Sequence, residues 1–191
     1  MMKFNSISHY LLKITGVCSL IFCLSLGVLA QSNEDSHDIR IVVPKSSTIH
    51  IKGDNDGAIN LSAEAPQQAG QPLSFTTSED NSLWLNYSAV SQEGKNIYAS
   101  IVDGELPSGL GLTLDASITA ESGQGNLGQS QGRVTLSTEN QSIVEGITTC
   151  YTGDGTNKGR QLAYQLVALD AYKTINATTN MSITVCYTIT D

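Results

Sequence analysis

In residues 181–190, Met181, Ile183, Val185, Tyr187 and Ile189 alternate strictly with Ser182, Thr184, Cys186, Thr188 and Thr190. Successive side chains of a strand point to opposite faces, so this pattern predicts a half-buried strand with one apolar and one threonine-rich face. Cys186 falls on the threonine face. Upstream, Ile147 and Tyr151 share one parity while Thr148, Cys150 and Thr152 share the other. A regular strand over 143–151 therefore places Cys150 on the polar side as well. Both thiols are expected to avoid the apolar core and to form a disulfide between neighbouring or near-neighbouring strands, not a bridge through the centre of a sandwich.

The rest of the chain repeats the same unit, a short alternating or β-branched run followed by a turn cluster. The runs fall at 39–43, 48–52, 58–63, 73–76, 83–90, 97–102, 110–118, 133–137, 143–151, 160–168 and 181–190. The clusters between them, among them GDNDG, DGELPSG and TGDGTNKG, are rich in residues that tolerate turn dihedrals. No stretch carries a helical stripe. Residues 160–172 come nearest, but Leu162, Tyr164, Leu166 and Ala168 alternate at period two, which predicts a strand ending in a helical turn around 169–172. About ten short strands with regular turn signals predict an all-β fold, a sandwich or a barrel.

Parity also predicts the core: Leu83, Leu85 and Tyr87; Ile97, Ala99 and Ile101; Leu110, Leu112, Leu114, Ala116 and Ile118; Leu162, Tyr164 and Leu166; and the apolar face of the last strand. Trp84 has the opposite parity, beside Asn86 and Ser88. A lone tryptophan there either covers a sheet edge or offers a flat ring to a sugar or peptide, with Tyr98 and Tyr151 as further platform candidates.

Residues 1–30 have a basic start at Lys3 and Lys13, the apolar run ITGVCSLIFCLSLGVLA, and Ala30 ahead of the polar Gln31. These are the parts of a secretory signal peptide, with cleavage expected after Ala30. The apolar run, roughly 16 residues, is shorter than the ~20 needed to span a bilayer, so no membrane span is expected after cleavage. Val17 and Phe22 precede Cys18 and Cys23 where a lipoprotein signal requires a small residue, which argues against a lipid anchor. Residues 31–38 are polar and read as a disordered tail, leaving 39–191 as a single domain. The leader contains two of the ten basic residues and none of the eighteen acidic ones, so the remainder has eight against eighteen, a net −10. That balance argues against nucleic acid and anionic membrane surfaces as partners. Export also favours oxidation of Cys150 and Cys186, which stand 36 positions apart. Such a bridge contributes about 4 kcal/mol by chain entropy; two buried free thiols are the alternative.

Beyond the leader the only histidines are His37, in the tail, and His50, on the polar face of a run. A serine or cysteine nucleophile has little chance of a positioned base, and no catalytic residues are assigned. Gly123, Gly125 and Gly128 spell G-x-G-x-x-G but lead into another strand, so no helix N-terminus stands behind them to hold a pyrophosphate. Asp54, Asn55, Asp56 and Gly57 open like a calcium loop without its closing glutamate and read as a hairpin turn. Asp154 and Gly155 read the same way. Asp103, Glu105 and Asp115 do not show by spacing that any two converge as a glycosidase pair. No metal or cofactor is expected.

The segments SLWLNYSAV, CYTGDGTNKGRQLAYQL and SITVCYTITD together resemble a group of small exported bacterial β-sandwich proteins of unassigned function. More distantly, an exported sandwich with an alternating C-terminal strand is similar to fimbrial subunits and to spore-coat-U-like pilin proteins. Thr190 stands where pilin subunits place a tyrosine, and INATTNMSI lacks the proline of the spore-coat-U-like domains. The resemblance implies an all-β fold that is an antiparallel β-sandwich, immunoglobulin-like or pilin-like, with one disulfide, and it implies surface assembly, in which one subunit's strand completes another's sheet. The expectation is a secreted, non-enzymatic structural or adhesive protein of the periplasm, cell surface or exterior. It pairs with itself or other subunits through 39–43 or 181–190. The alternative is a monomeric module binding a glycan or peptide through Trp84 and loop tyrosines.

Overall fold

A computed structural model describes residues 36–53, 58–75, 78–120, 122–169, 172–177 and 181–190. The leader, the 54–57 hairpin, Thr76 of the 73–76 run and residues 170–171 of the expected helical turn lie outside the described residues. The chain divides into two units, Met1–Val42 and Val43–Asp191. In the first, residues 36–42 are exposed and carry no regular secondary structure.

The second unit is built from strands. They are β1 (Ser46–Lys52), β2 (Glu79–Val90), β3 (Lys95–Asp103), β4 (Leu110–Asp115), β5 (Gln124–Gly125), β6 (Gln129–Ser130), β7 (Val134–Thr135), β8 (Gln141–Ile147), β9 (Cys150–Tyr151), β10 (Arg160–Ala168) and β11 (Thr184–Thr190). A 3-10 turn at Tyr172–Thr174 is the one helical element among the described residues. All pairings are antiparallel and form two sheets, one of seven strands and one of four in the order β11-β3-β8-β6. The expected all-β, two-sheet class is therefore what forms.

The seven-stranded sheet is organised on β2. Residues 84–90 pair with β1 along one edge. Along the other edge β2 pairs first with β10, from Glu79↔Gln165 to Leu85↔Arg160, and then with β9, Ser88↔Tyr151 and Ala89↔Cys150. The β9 and β10 segments thus form one line, interrupted by the loop at 152–159. Asn86 holds that loop: its Nδ2 donates to the Lys158 carbonyl at 2.7 Å and its Oδ1 accepts the Gly155 N–H at 2.8 Å. Beyond β10 and β9 lie β4 and β5, and β7 closes the far side.

The core sits between the sheets. Leu83, Leu85 and Tyr87 of β2, Leu112 and Leu114 of β4, and Leu162 and Tyr164 of β10 face Ile97, Ala99 and Ile101 of β3 and Ile143, Val144 and Ile147 of β8. Most of the parity-based core is in place, because regular strands with one buried face obey a strict two-residue period. Ile118 and Met181 depart from it and are exposed, Met181 because the last strand begins at Thr184 and not at 181. The β4 strand stops at Asp115, whose carboxylate accepts the Ser117 N–H at 2.7 Å; that turn ends the alternation. The expected strands at 39–43 and 58–63 do not form among the described residues, and Glu64↔Ser74 is only an isolated bridge.

The expected strand at 143–151 is divided between the two sheets. Gly146 has a positive φ of 75°, and the chain leaves β8 for β9 at residues 148–149. The β2-to-β3 crossing at Ser91 lies beside it. Thr149 Oγ1 accepts the Ser91 N–H at 3.2 Å and donates to the Ser91 carbonyl at 3.1 Å, so one hydroxyl joins both crossings.

Candidate functional site

Among the described residues β1, β5 and β7 of the larger sheet and β6 and β11 of the smaller each pair on one side only, and of these β1 and β11, seven residues each, are the long ones. They approach each other along one seam of the sandwich. Ile49 and Ile51 of β1 and Val185, Tyr187 and Ile189 of β11 point toward the core there, each only half-buried. Period-two alternation selects these faces, as the sequence indicates. Unpaired N–H and C=O groups on such edges are templates for another strand.

One side-chain pair fastens β11 to the opposite sheet. The hydroxyls of Tyr187 and of Tyr164 on β10 hydrogen-bond to each other. Burial pushes the Tyr164 hydroxyl up to about 12, with the Tyr187 hydrogen bond opposing the rise. Burial, reinforced by the neighbouring Tyr164, holds Tyr187 well above its ordinary value. Both are neutral at physiological pH.

The chain ahead of β1 carries Ile39, Ile41, Val42 and Val43, between 71% and 81% exposed. Large β-branched side chains in sequence rarely stay in water without a partner.

The aromatic platform expected from the sequence is not assembled. Trp84 is 9% exposed and lies outside the main core cluster, on the other face of β2 from Leu83 and Leu85. Tyr151 shares that outer face through its pairing with Ser88 and is 49% exposed. Tyr98 stands in the other sheet, opposite Thr188 and Ser142, with its hydroxyl accepting from Asn96 Nδ2 at 3.4 Å. The three rings therefore occupy two sheets. Tyr151 borders a cleft of about 360 Å³ whose other walls include Thr48, His50, Asn86, Ser88 and Asp154. Asp154 also pairs with Lys52 at 3.1 Å.

Cys150 and Cys186 are free and stand in different sheets. Cys186 is exposed on the threonine face, as alternation requires. Cys150 is 6% exposed and belongs to the core cluster, contrary to the parity reading of 143–151. Its register opposite Ala89 turns it inward, a consequence of the crossing at 148–149 that breaks the strand. Burial raises the Cys150 thiol above its ordinary value.

The G-x-G-x-x-G run packs as a loop against β9 and β8. A Cβ on Gly125 would collide with the Thr149 carbonyl. No group of three or more His, Cys, Asp or Glu among the described residues is placed to hold a metal ion. The sequence reading passed over Arg160, which is 4% exposed. A signal was present, since Arg160 shares the parity of Leu162, Tyr164 and Leu166 and so belongs to the core face of β10. No protein-family model, curated protein or solved structure matches this chain, and its site is read from its own geometry.

Proposed function

We propose that this protein is an exported, non-enzymatic surface subunit of pilin-like type that associates by strand pairing. The seam between β1 and β11 receives residues 39–43 of another copy. The observation that carries this reading is the exposure of Ile39, Ile41, Val42 and Val43 in a chain whose two long edge strands, β1 and β11, each pair on one side only among the described residues. Its resemblance to fimbrial subunits points the same way, and the secretory character of residues 1–30 supplies the compartment.

Magnitudes show what the contact must contain. Burying four β-branched side chains gains about 6 kcal/mol at about 1.5 kcal/mol each. Association costs about 4–15 kcal/mol in lost freedom. Apolar burial alone thus leaves the balance near zero, and backbone pairing along the free edges decides it. No Cys150–Cys186 bridge is needed to hold β11, which the Tyr164–Tyr187 pair already fastens.

Sedimentation of the purified protein over a wide concentration range tests the reading. A concentration-dependent series of species is expected, collapsing to monomer in Ile41→Lys and Val43→Lys. A strict monomer at every concentration overturns spontaneous assembly. In that event the half-exposed Tyr151 beside its cleft favours the other reading, a monomeric glycan- or peptide-binding module, with Tyr151→Ala as its first variant.

A further inference from the structure

Arg160 opens β10 on the face that also carries Leu162 and Tyr164, and its guanidinium is enclosed. Its Nε donates to Tyr87 Oη at 3.2 Å and its Nη1 to the Ala116 carbonyl at 3.1 Å. Nη2 donates to the Gly128 carbonyl at 2.7 Å and to the Leu127 carbonyl at 3.5 Å. Tyr87 Oη in turn donates to the Leu127 carbonyl at 2.7 Å. Every acceptor is neutral. Among the described residues no carboxylate pairs with Arg160, although the chain contains eighteen.

A guanidinium stays protonated at any ordinary pH and carries five N–H donors. Four of them are met by these acceptors, leaving one on Nη1. Carbonyl dipoles offset part of the cost of burying this charge, but an uncompensated ion inside a protein still costs several kcal/mol. The charge also borders a cavity. A space of about 580 Å³ opens beside Arg160, with Ser117, Thr119, Asn126, Gln129 and Ser130 among its walls. Ser130 Oγ accepts the Gly132 N–H at 3.0 Å and lies 3.5 Å from Ser117 Oγ; one hydroxyl proton of this pair joins the two and the other remains to be donated. The wall combines one net positive charge with several hydroxyl and amide donors and includes no acidic side chain.

We propose that this cavity is a binding site for an oxoanionic group, a carboxylate or sulfate, carried on a small molecule and paired with Arg160. The space is a cleft open to solvent, and its volume exceeds what a bare ion fills. Charge selects the ligand, and the hydroxyls of Ser117, Thr119 and Ser130 orient it. The site does not depend on strand pairing and stands or falls separately from it.

The test titrates ¹⁵N-labelled protein with acetate, sulfate and D-glucuronate, each at ionic strength fixed by sodium chloride, with D-glucose as the uncharged control. Saturable shifts are expected at the Arg160 Nε and the amides of Gly125, Leu127 and Gly128, with Kd about 1 mM or below for glucuronate. Glucose should leave them unmoved. Glucuronate binding more tightly than acetate supports a ligand larger than the ion, and equal affinities restrict the site to the anionic group. Ser117→Ala should weaken binding about tenfold while the melting temperature holds; Ser130→Ala should weaken it by a similar factor, with a small fall in melting temperature from the lost Gly132 hydrogen bond. Arg160→Gln should abolish binding if the variant folds. Absence of saturable shifts with all three anions, or equal response to glucose, overturns the proposal.

Discussion

Raising the pH ionises tyrosines in the unfolded chain before it ionises Tyr164 and Tyr187 in the folded one. The Tyr164 hydroxyl rises from the ordinary 10.0 to about 12 because burial disfavours the phenolate. A folded-state value above the unfolded one means that the folded protein binds more protons between those two values. Stability is therefore complete below about pH 10 and is lost as the pH climbs toward about 12. For Tyr164 alone the loss is about 1.4 kcal/mol at pH 11 and approaches about 3 kcal/mol above pH 12, at 1.36 kcal/mol per tenfold change in proton affinity. Burial raises Tyr187 and Tyr87 as well, so both add to the fall. Urea unfolding at about pH 8, 10 and 11, with phenolate absorbance followed in parallel, measures it. The double variant Tyr164→Phe, Tyr187→Phe should be less stable at pH 8, having lost the hydroxyl pair, and should have a much shallower fall between pH 10 and 11. A wild-type stability that stays flat to pH 11, or a double variant falling as steeply as wild type, would refute the reasoning.

Thiol labelling separates a free pair from a bridged one. In a chain with Cys18 and Cys23 replaced by serine, Cys186 should react with maleimide in the native state and Cys150 only on unfolding. An intramolecular disulfide in the unreduced mass spectrum would contradict this arrangement. Asn86→Ala removes two hydrogen bonds to the 152–159 loop and should cost about 2 kcal/mol in urea unfolding with the m-value unchanged, and faster hydrogen exchange at Gly155 should accompany it. A change below about 0.5 kcal/mol would mean that the loop holds its place without the amide. Deleting residues 39–43 should leave the melting temperature within a few degrees of wild type, since their side chains lie in solvent; a collapse of the fold would show them to be part of it.

Where a strand is regular and one face is buried, residue parity alone located the core. Leu83, Leu85 and Tyr87, then Ile97, Ala99 and Ile101, then Val185, Tyr187 and Ile189 all face inward as alternation requires, and the 160–168 strand has the bounds read from its pattern. Parity failed where the chain changes sheet. Nothing in 143–151 signals that Thr149 will bond to Ser91, 58 positions away, yet that crossing turns Cys150 into the core and separates it from Cys186. The burial of Trp84 was equally hidden, because its parity names a face and not what covers it.

Local chemistry, then, determined the all-β class, the strand faces and the turn clusters, because each depends on residues adjacent in sequence. The β-branched run at 39–43 was legible as strand-forming, yet it carries no regular secondary structure. Arg160 was legible as a cation on a core face. Its acceptors come from Tyr87, Ala116, Leu127 and Gly128, 32 to 73 positions distant, and which groups meet it depends on how the strands are ordered. Strand order is settled by which edges meet and bury the most apolar surface together, a property of the whole chain that no single segment contains.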